Sequence, residues 1–301
     1  MPLDDSPPPS FLDDKVHPFH VDKLGLNGRV VRLGGLLTDV VGNNNYPAPV
    51  GRLLSETVAL AAVLASTLKY DGIFTLQIQG DGPISIMMAD VTTEGGVRAY
   101  ARFDVDRLNT VDPDAAEVPA YLGNGYLAFT VDQGLDTDRY QGIVELAGAT
   151  LSDCAHAYFR QSEQLETAIL LAAQDDPRHA GAIMIQRLPA PSKAVDDDPK
   201  EAWCRGVILM SSLTTDELLS PALTVNQILY RLYNQDGVRV TDPRPLTAKC
   251  RCSRGKVERT LASFPKSEIS ELAVDGVVNV TCEFCGRDYV FDTGEIDALF
   301  D

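Results

Sequence analysis

Apolar and polar residues alternate over several short stretches in the first two thirds of the chain. Residues 28–33 (GRVVRL) and 74–79 (FTLQIQ) have the pattern of strands that bury one face. The glycines and proline of 80–83 (GDGP) predict a turn into 84–88 (ISIMM), which would complete a β-hairpin. Further strand patterns lie at 97–103, 126–131, 140–146 and 182–187.

Two longer apolar segments predict helices. Residues 50–68 are rich in Ala and Leu and almost wholly apolar after Glu56, which is typical of a buried helix. A second helix is predicted from Ser152, a suitable N-cap, to about Ala173. Strand, helix, several strands, helix and strand in this order favour an α+β domain over a parallel βαβ array. We expect this N-terminal β-sheet domain with packed helices to occupy residues 21–192.

The segments on either side of this domain differ from it in composition. Pro and Asp dominate residues 1–20, which predicts a flexible tail in which His17 and His20 are solvated. The Pro- and Asp-rich stretch 189–200 indicates a boundary, and a helical linker is predicted over 193–247.

Three short amphipathic helices are predicted within 201–235 of this linker. Thr214 with Glu217, and Thr224 with Gln227, have the spacing of capping boxes. Each helix is near or below the length that persists in water without tertiary contacts, so the linker should be metastable. Its apolar side chains would bind other proteins if it opened, and the candidates are Trp203, Ile208, Met210, Leu218, Leu219, Ile228 and Leu229.

Composition restricts the possible partners and the compartment. The 301 residues are 45% hydrophobic and 23% charged, which suits a globular protein with a sizeable core. A formal net charge of −17 disfavours binding to nucleic acids or anionic membranes through clustered cations. Because no long apolar span and no signal-peptide pattern is present, we expect a cytoplasmic protein.

Four cysteines near the C-terminus carry the strongest chemical signal. Cys250 and Cys252 form one close pair, and Cys282 and Cys285 form another. Two such pairs can complete a tetrahedral shell of four sulfurs, the arrangement that zinc prefers at structural sites. The sequence therefore predicts a small zinc-binding domain at 248–301. A static zinc ribbon that binds nucleic acid or a translation component, and an oxidoreductase that uses the CxxC pair, remain alternatives.

Little else in the sequence suggests catalysis. Cys154 and Cys204 are isolated and are interpreted as structural thiols that bind no metal. His156 lies near Asp153 on the predicted helix, where capping or core packing explains both residues better than a catalytic pair. Because no nucleophile with an orienting base is apparent, we expect a protein that is not an enzyme.

Several short motifs occur in one order along nearly all of the chain. They are GRVVRLGG (28–35), FTLQIQGDGP (74–83), ARF (101–103), YQGIV (140–144), YFRQSEQ (158–164), YRL (230–232), CRCS (250–253) and CEFCGRDYVF (282–291). Through these motifs the chain resembles the heat shock protein 33 family of redox-regulated bacterial chaperones. Departures from the family pattern are Asn234-Gln235 at a helix end, a longer N-terminal tail, and the additional thiols Cys154 and Cys204.

The resemblance implies a specific function. The reduced protein would hold one Zn²⁺ on Cys250, Cys252, Cys282 and Cys285 and be inactive. Oxidants such as hypochlorous acid would form disulfides between Cys250 and Cys252 and between Cys282 and Cys285, release zinc, and unfold the C-terminal domain with the linker. The oxidised protein, expected to be a homodimer, would then hold unfolding client proteins and prevent their aggregation.

Overall fold

The computed structural model describes residues 12–112, 115, 117–134, 140–160, 165–187 and 198–300. The chain divides into two compact units, Met1–Ala248 and Lys249–Asp301. The first unit contains two β-sheets with helices, and the second is small. The mixture of sheets and helices confirms the predicted α+β class.

Sheet A of the first unit has the strand order β10-β1-β2-β9-β8, with β11 beside β1. Sheet B has the order β12-β5-β4-β3-β6-β7. The strands are β1 Lys15–Val21, β2 Leu26–Leu33, β3 Ile73–Gly80, β4 Ile84–Thr92, β5 Gly96–Phe103, β6 Gly125–Asp132, β7 Tyr140–Glu145, β8 Thr167–Gln174, β9 His179–Arg187, β10 Val238–Val240, β11 Arg244–Pro245 and β12 Thr247–Ala248. All pairings are antiparallel except the short one between β12 and β5.

The helices of the first unit lie mostly at or near these sheets. They are α1 Gly35–Val40, α2 Ala48–Ala65, α3 Val105–Leu108, α4 Leu151–Tyr158, α5 Pro199–Ser211, α6 Thr215–Leu219 and α7 Val225–Tyr233. Helix α2 contacts strands of both sheets, and the main core forms around it. This helix is long and apolar enough to span a membrane by composition alone, but 83% of it is buried inside the unit. The apolar side chains of α2 therefore form part of the main core.

A second core lies on the other face of sheet A. Because successive side chains of a strand point to opposite faces, Val31 of β2 joins the main core while its neighbour Val30 joins the second one. Helices α5, α6 and α7 cover this face, and Tyr233 stacks on Phe19 with ring centroids 6.0 Å apart. The predicted linker helices are therefore packed on a sheet.

Several predicted elements are confirmed within the described residues. The hairpin is formed by β3 and β4, and the strands at 28–33, 97–103, 126–131, 140–146 and 182–187 are present with bounds shifted by a few residues. The helix predicted at 50–68 is α2. Both capping boxes of the linker are formed, by Thr214 with Glu217 and by Thr224 with Gln227.

The prediction of one helix over 152–173 is wrong. Helix α4 begins after Thr150, which forms a capping box with Asp153, and ends at Tyr158. Residues 167–174 (TAILLAAQ) form β8, which pairs with β9 over its whole length. A short apolar run fits a buried strand as well as a helix, and pairing with a distant strand decided between them. Residues 161–164 lie outside the described residues.

The predicted tail is also too long. Residues 1–11 lie outside the described residues, but β1 starts at Lys15 and pairs with β2. His17 is mostly buried on β1 and lies 3.0 Å from a carboxylate oxygen of Asp13. It is therefore part of the folded unit, because its strand pairs with β2 on one side and with β10 and β11 on the other.

The second unit has a small core of its own. It contains α8 Arg254–Leu261, α9 Lys266–Glu271, the hairpin of β13 Val277–Thr281 and β14 Asp288–Asp292, and α10 Thr293–Ala298. The buried apolar side chains are Leu261, Ile269, Val278, Tyr289, Phe291 and Ile296. A unit of this size buries little apolar surface, so other interactions must contribute to its stability.

Candidate metal centre

Two turns of the second unit carry the four cysteines. Cys250 and Cys252 precede α8, whose first turn is capped by Ser253 through a hydrogen bond from the backbone N–H of Lys256. Cys282 and Cys285 lie in the turn between β13 and β14. In that turn the Gly286 N–H donates to the Cys282 carbonyl at 2.8 Å, and Gly286 has φ of 66°, a value that favours glycine.

The four sulfur atoms meet in one place. All lie within 4.8 Å of one another, and the distances are 3.7 Å between Cys250 and Cys282 and 3.5 Å between Cys252 and Cys285. In a tetrahedral zinc–thiolate site with bonds of about 2.3 Å, neighbouring sulfurs are separated by about 3.8 Å. The cluster therefore fits a single metal ion held by four thiolates.

The thiols of the cluster differ in acidity. Desolvation raises the pKa of Cys252, but hydrogen bonds with Tyr289 and the other three thiols bring it down to about 7. Burial, together with hydrogen bonds from neighbouring thiols, raises the pKa of Cys285 to about 12. Burial also raises the pKa of Cys282. The Cys252 thiol is thus more easily ionised than those of Cys282 and Cys285, as expected when thiols share protons at close range.

Arg254 ties together the elements around the cluster. Its guanidinium lies 4.2 Å from the ring centroid of Phe291 and donates to the Val290 carbonyl at 2.9 Å. It also donates to the Glu295 carboxylate at 2.6 Å. The Arg254 side chain thereby connects α8 with β14 and α10. Cys250 and Cys252, two of the four cysteines, lie just before Arg254 in the sequence.

The other two cysteines are separate from this cluster. Cys154 is fully buried on α4, and burial raises the pKa of its thiol to about 11. Cys204 is exposed on α5. His156 accepts a hydrogen bond from the Ile169 N–H at 2.7 Å, and Asp153 completes the capping box of α4. The interpretation of this pair as capping and packing residues is confirmed.

The predicted client-binding side chains are placed unequally. Met210, Leu218, Leu219, Ile228 and Leu229 are buried in the second core. Trp203 is partly buried against it, whereas Ile208 is 68% exposed. Ile208 therefore does not pack on sheet A with the other candidates, because its side chain points to solvent.

Arg32 is a structurally important residue that the sequence pattern does not reveal. It is fully buried on β2 and donates to the carbonyl of Leu218 at 2.7 Å and to those of Ser220 and Leu223. Burial lowers its pKa only to about 10, so it stays charged at neutral pH. These carbonyls lie at the end of α6 and in the loop before α7, so Arg32 fastens the linker to sheet A.

The fold and the site define a class of protein in which an α+β domain is followed by a small unit with four thiols placed to hold a metal ion. The family model described as Hsp33 protein matches residues 14–292. A 33 kDa chaperonin of Caulobacter vibrioides is 40% identical over 298 residues, covering 96% of this chain and 98% of that protein. One from Edwardsiella ictaluri is 36% identical, covering 95% of this chain and 94% of its own length. The chain therefore belongs to the Hsp33 family.

A solved structure supports the fold. The 33 kDa chaperonin of Thermotoga maritima superposes with a TM-score of 0.76 at 21% identity, covering 95% of this chain and 97% of that one. The resemblance inferred from the sequence motifs is confirmed, and the relatives are named for a chaperone role.

Proposed function

We propose that this protein is a redox-regulated holdase, inactive while its four cysteines bind zinc and activated by their oxidation. The observation that carries the proposal is the combination of a four-thiol cluster with helices that cover an apolar sheet face. The first feature can respond to oxidants, and the second can supply a surface for unfolding proteins. Family membership supports the chaperone role.

Cys250, Cys252, Cys282 and Cys285 would hold the ion. When bound, Zn²⁺ keeps the sulfurs as thiolates at neutral pH and contributes on the order of 10–16 kcal/mol of binding free energy to folding. The thiolate is the form of cysteine that oxidants attack. The same four residues would therefore maintain the fold of the second unit and sense the oxidant.

Oxidation would proceed by two two-electron steps. In each step two thiolates and one molecule of hypochlorous acid, with one proton, give one disulfide, one chloride ion and one water molecule. We propose the pairs Cys250 with Cys252 and Cys282 with Cys285, which are neighbours in sequence. Such disulfides close very small loops and restrict the unfolded chain little, so they would not replace the stability that the metal contributed.

Unfolding of the second unit would affect the linker through the chain that connects them. Ala248, at the end of β12, pairs with Val97 and lies two residues before Cys250. The helices α5, α6 and α7 are short and depend on packing against sheet A, so they are the elements with least intrinsic stability. Their release would expose the second core to clients, and we propose that the active form is a cytoplasmic homodimer.

Light scattering of a heat-denaturing client tests this function. We expect the oxidised protein to suppress aggregation at about equimolar ratio, and the reduced protein to have little effect. Cys282→Ser should lose bound zinc and be active without oxidant. Cys204→Ser is the matched control, because Cys204 is exposed and lies outside the cluster. Equal suppression by reduced and oxidised wild type would refute the redox switch.

A further inference from the structure

Strand β7 leaves one edge of sheet B open. It is the last strand of that sheet, and no strand among the described residues pairs with its outer side. The Leu146 N–H bonds to the Gly125 carbonyl, which fixes the alternation of hydrogen bonds between β6 and β7. By this alternation the backbone N–H and C=O groups of Gln141, Ile143 and Glu145 point away from β6.

The side chains beside this edge are suitable for an incoming strand. Ile143 is 56% exposed on the solvent face of sheet B, and Tyr140 is 51% exposed on the opposite face. Strand β7 contains neither lysine nor proline, which commonly protect edge strands from pairing. An extended chain could therefore form backbone hydrogen bonds and place apolar side chains against both faces.

Several other edges in the described structure are partly occupied by neighbouring groups. On β8 the outward N–H of Ile169 is taken by His156 of α4. On β14 the carbonyl of Val290 accepts from Arg254, and beside β13 the backbone of Val274 bonds with Val277. Strands β10, β11 and β12 have only two or three residues each. The contrast singles out β7 as an edge available for pairing.

We propose that β7 binds an extended segment of an unfolding client by strand addition. This inference rests on the proposed holdase function and adds a second contact surface to it. Backbone hydrogen bonds are independent of the partner's sequence, which suits a chaperone that receives many clients. Because β7 is open in the described structure, this site should bind an extended segment before oxidation, but too weakly by itself to suppress client aggregation.

A second copy of the chain fits this edge less well. The six-residue strand offers a ribbon about 20 Å long and about 5 Å wide. A stable dimer buries about 800 Å² on each partner, far more than this ribbon provides. A weak, transient contact with an unfolding chain matches the small area.

Peptide binding to the reduced full-length protein tests the proposal. The probe is a labelled seven-residue peptide of alternating Thr and Val, followed by fluorescence anisotropy. The variant Ile143→Pro removes the isoleucine side chain and an outward N–H but no hydrogen bond to β6, and an edge strand tolerates proline at such a position. The matched variant Ile143→Thr keeps that N–H. We expect Ile143→Pro to weaken binding about tenfold or more, and Ile143→Thr to change it less than about threefold.

A second measurement needs no variant. When the peptide is added to wild type, hydrogen exchange should slow at the N–H groups of Gln141, Ile143 and Glu145. Those of Tyr140, Gly142 and Val144 already bond to β6 and should not change. Alternate N–H groups of the bound peptide should face β7, and the others should face solvent. N-methylation of the first set should abolish the slowing of exchange, while N-methylation of the second set should preserve it.

Specific results would overturn the inference. One is equal peptide affinity of wild type and a folded Ile143→Pro variant, with no slowing of exchange along β7. Another is a reduced homodimer that Ile143→Pro dissociates and the peptide does not, because the edge would then belong to a second copy. Either result would leave the redox-dependent suppression of client aggregation standing. Loss of that suppression with peptide binding retained would refute only the proposed holdase switch.

Discussion

Arg32 is the bulkiest side chain that the first unit buries completely. Its hydrogen bonds to the carbonyls of Leu218, Ser220 and Leu223 fasten the linker to sheet A. Replacement by methionine keeps much of the apolar stem but leaves these carbonyls without their charged donor. Each unsatisfied buried group costs on the order of 1–3 kcal/mol.

We therefore expect Arg32→Met to destabilise the docking of α6 and α7 by about 3 kcal/mol. Amide hydrogen exchange in these helices should become about 100-fold faster, because each 1.36 kcal/mol is a factor of ten. The reduced variant should also suppress client aggregation in part. The control is Arg239→Met, which removes only an exposed ion pair with Asp22. Unchanged exchange in Arg32→Met would contradict the role assigned to Arg32.

The buried carboxyl of Glu56 should make the free energy of unfolding depend on pH. Burial in α2, reinforced by repulsion from Glu117 and opposed by attraction to Arg52, raises its pKa from 4.5 to about 7. Between these two pH values the folded chain binds more protons than the unfolded chain. The free energy of unfolding therefore falls as pH rises from about 4.5 to about 7 and stays lower above that range.

Glu56→Gln should remove this penalty. At pH 8 we expect the variant to be more stable than wild type by up to about 3 kcal/mol, whereas near pH 5 the gain should be small. Urea denaturation of the reduced protein at both pH values measures the difference. Glu94→Gln, which alters an exposed carboxylate, serves as the control. The same gain at both pH values would mean that titration of Glu56 is not its cause.

Single residues differ in how far the sequence alone identified them. The four cysteines could be assigned because sulfur ligands in close pairs have a recognisable spacing, and the fold brings all four together. Arg32 could not be assigned, since the carbonyls that it binds belong to residues as many as 191 positions away in sequence. Nothing in the adjoining strand pattern indicates such a partner.

At the scale of elements, the capping boxes of α6 and α7 control the ends of the least stable helices. In α7 the Thr224 hydroxyl accepts from the Gln227 N–H at 3.1 Å, and the Gln227 side chain accepts from the Thr224 N–H at 2.8 Å. Loss of such an N-cap typically costs about 1 kcal/mol. In the proposed activation, these caps would therefore contribute to the threshold at which the linker opens.

Thr224→Ala should destabilise α7 by about 1 kcal/mol and lower the oxidant dose needed for half-maximal chaperone activity. The effect is measured by hydrogen exchange of α7 and by oxidant titration of light scattering. Ser270→Ala is the comparison, because the Ser270 hydroxyl donates to a carbonyl within α9 and caps no helix start. A Thr224→Ala variant with the wild-type oxidant dose would separate α7 from activation.

Helix α4 and strand β8 show the limit of local pattern at this scale. The Thr150 cap is a local signal that marks the start of α4. The apolar run at 167–174, in contrast, has no local signal that separates strand from helix. Its register with β9 decides that it is a strand. His156 then covers the exposed edge of β8, a role that depends on that assignment.

At the scale of the whole molecule, metal removal should affect the two units differently. A high-affinity zinc chelator added to the reduced protein should unfold the second unit, because its core is small and the four thiolates lose their common partner. The main core of the first unit, built on α2 and both sheets, should stay folded.

Limited trypsin digestion with mass spectrometry checks this expectation. The first new cuts after chelation should fall at Lys256, Arg259 and Lys266, and α5 should be cut later. Excess zinc should restore protection. If the cleavage pattern of residues 249–301 is the same with and without metal, the ion does not maintain that fold.

The sequence by itself determined the features that a few neighbouring residues encode. These are the paired cysteines of the candidate metal centre, the capping boxes of the linker, the alternating strands and the buried helix α2. The family could also be inferred, because many short motifs occur in one order along the chain.

Tertiary structure alone decided which faces and edges are covered. The burial of Arg32, the strand at 167–174, the exposure of Ile208 and the open edge of β7 all depend on partners distant in sequence. The physical reason is that backbone preference and ligand chemistry act over a few residues. Burial and strand pairing are properties of surfaces that exist only after the chain has folded.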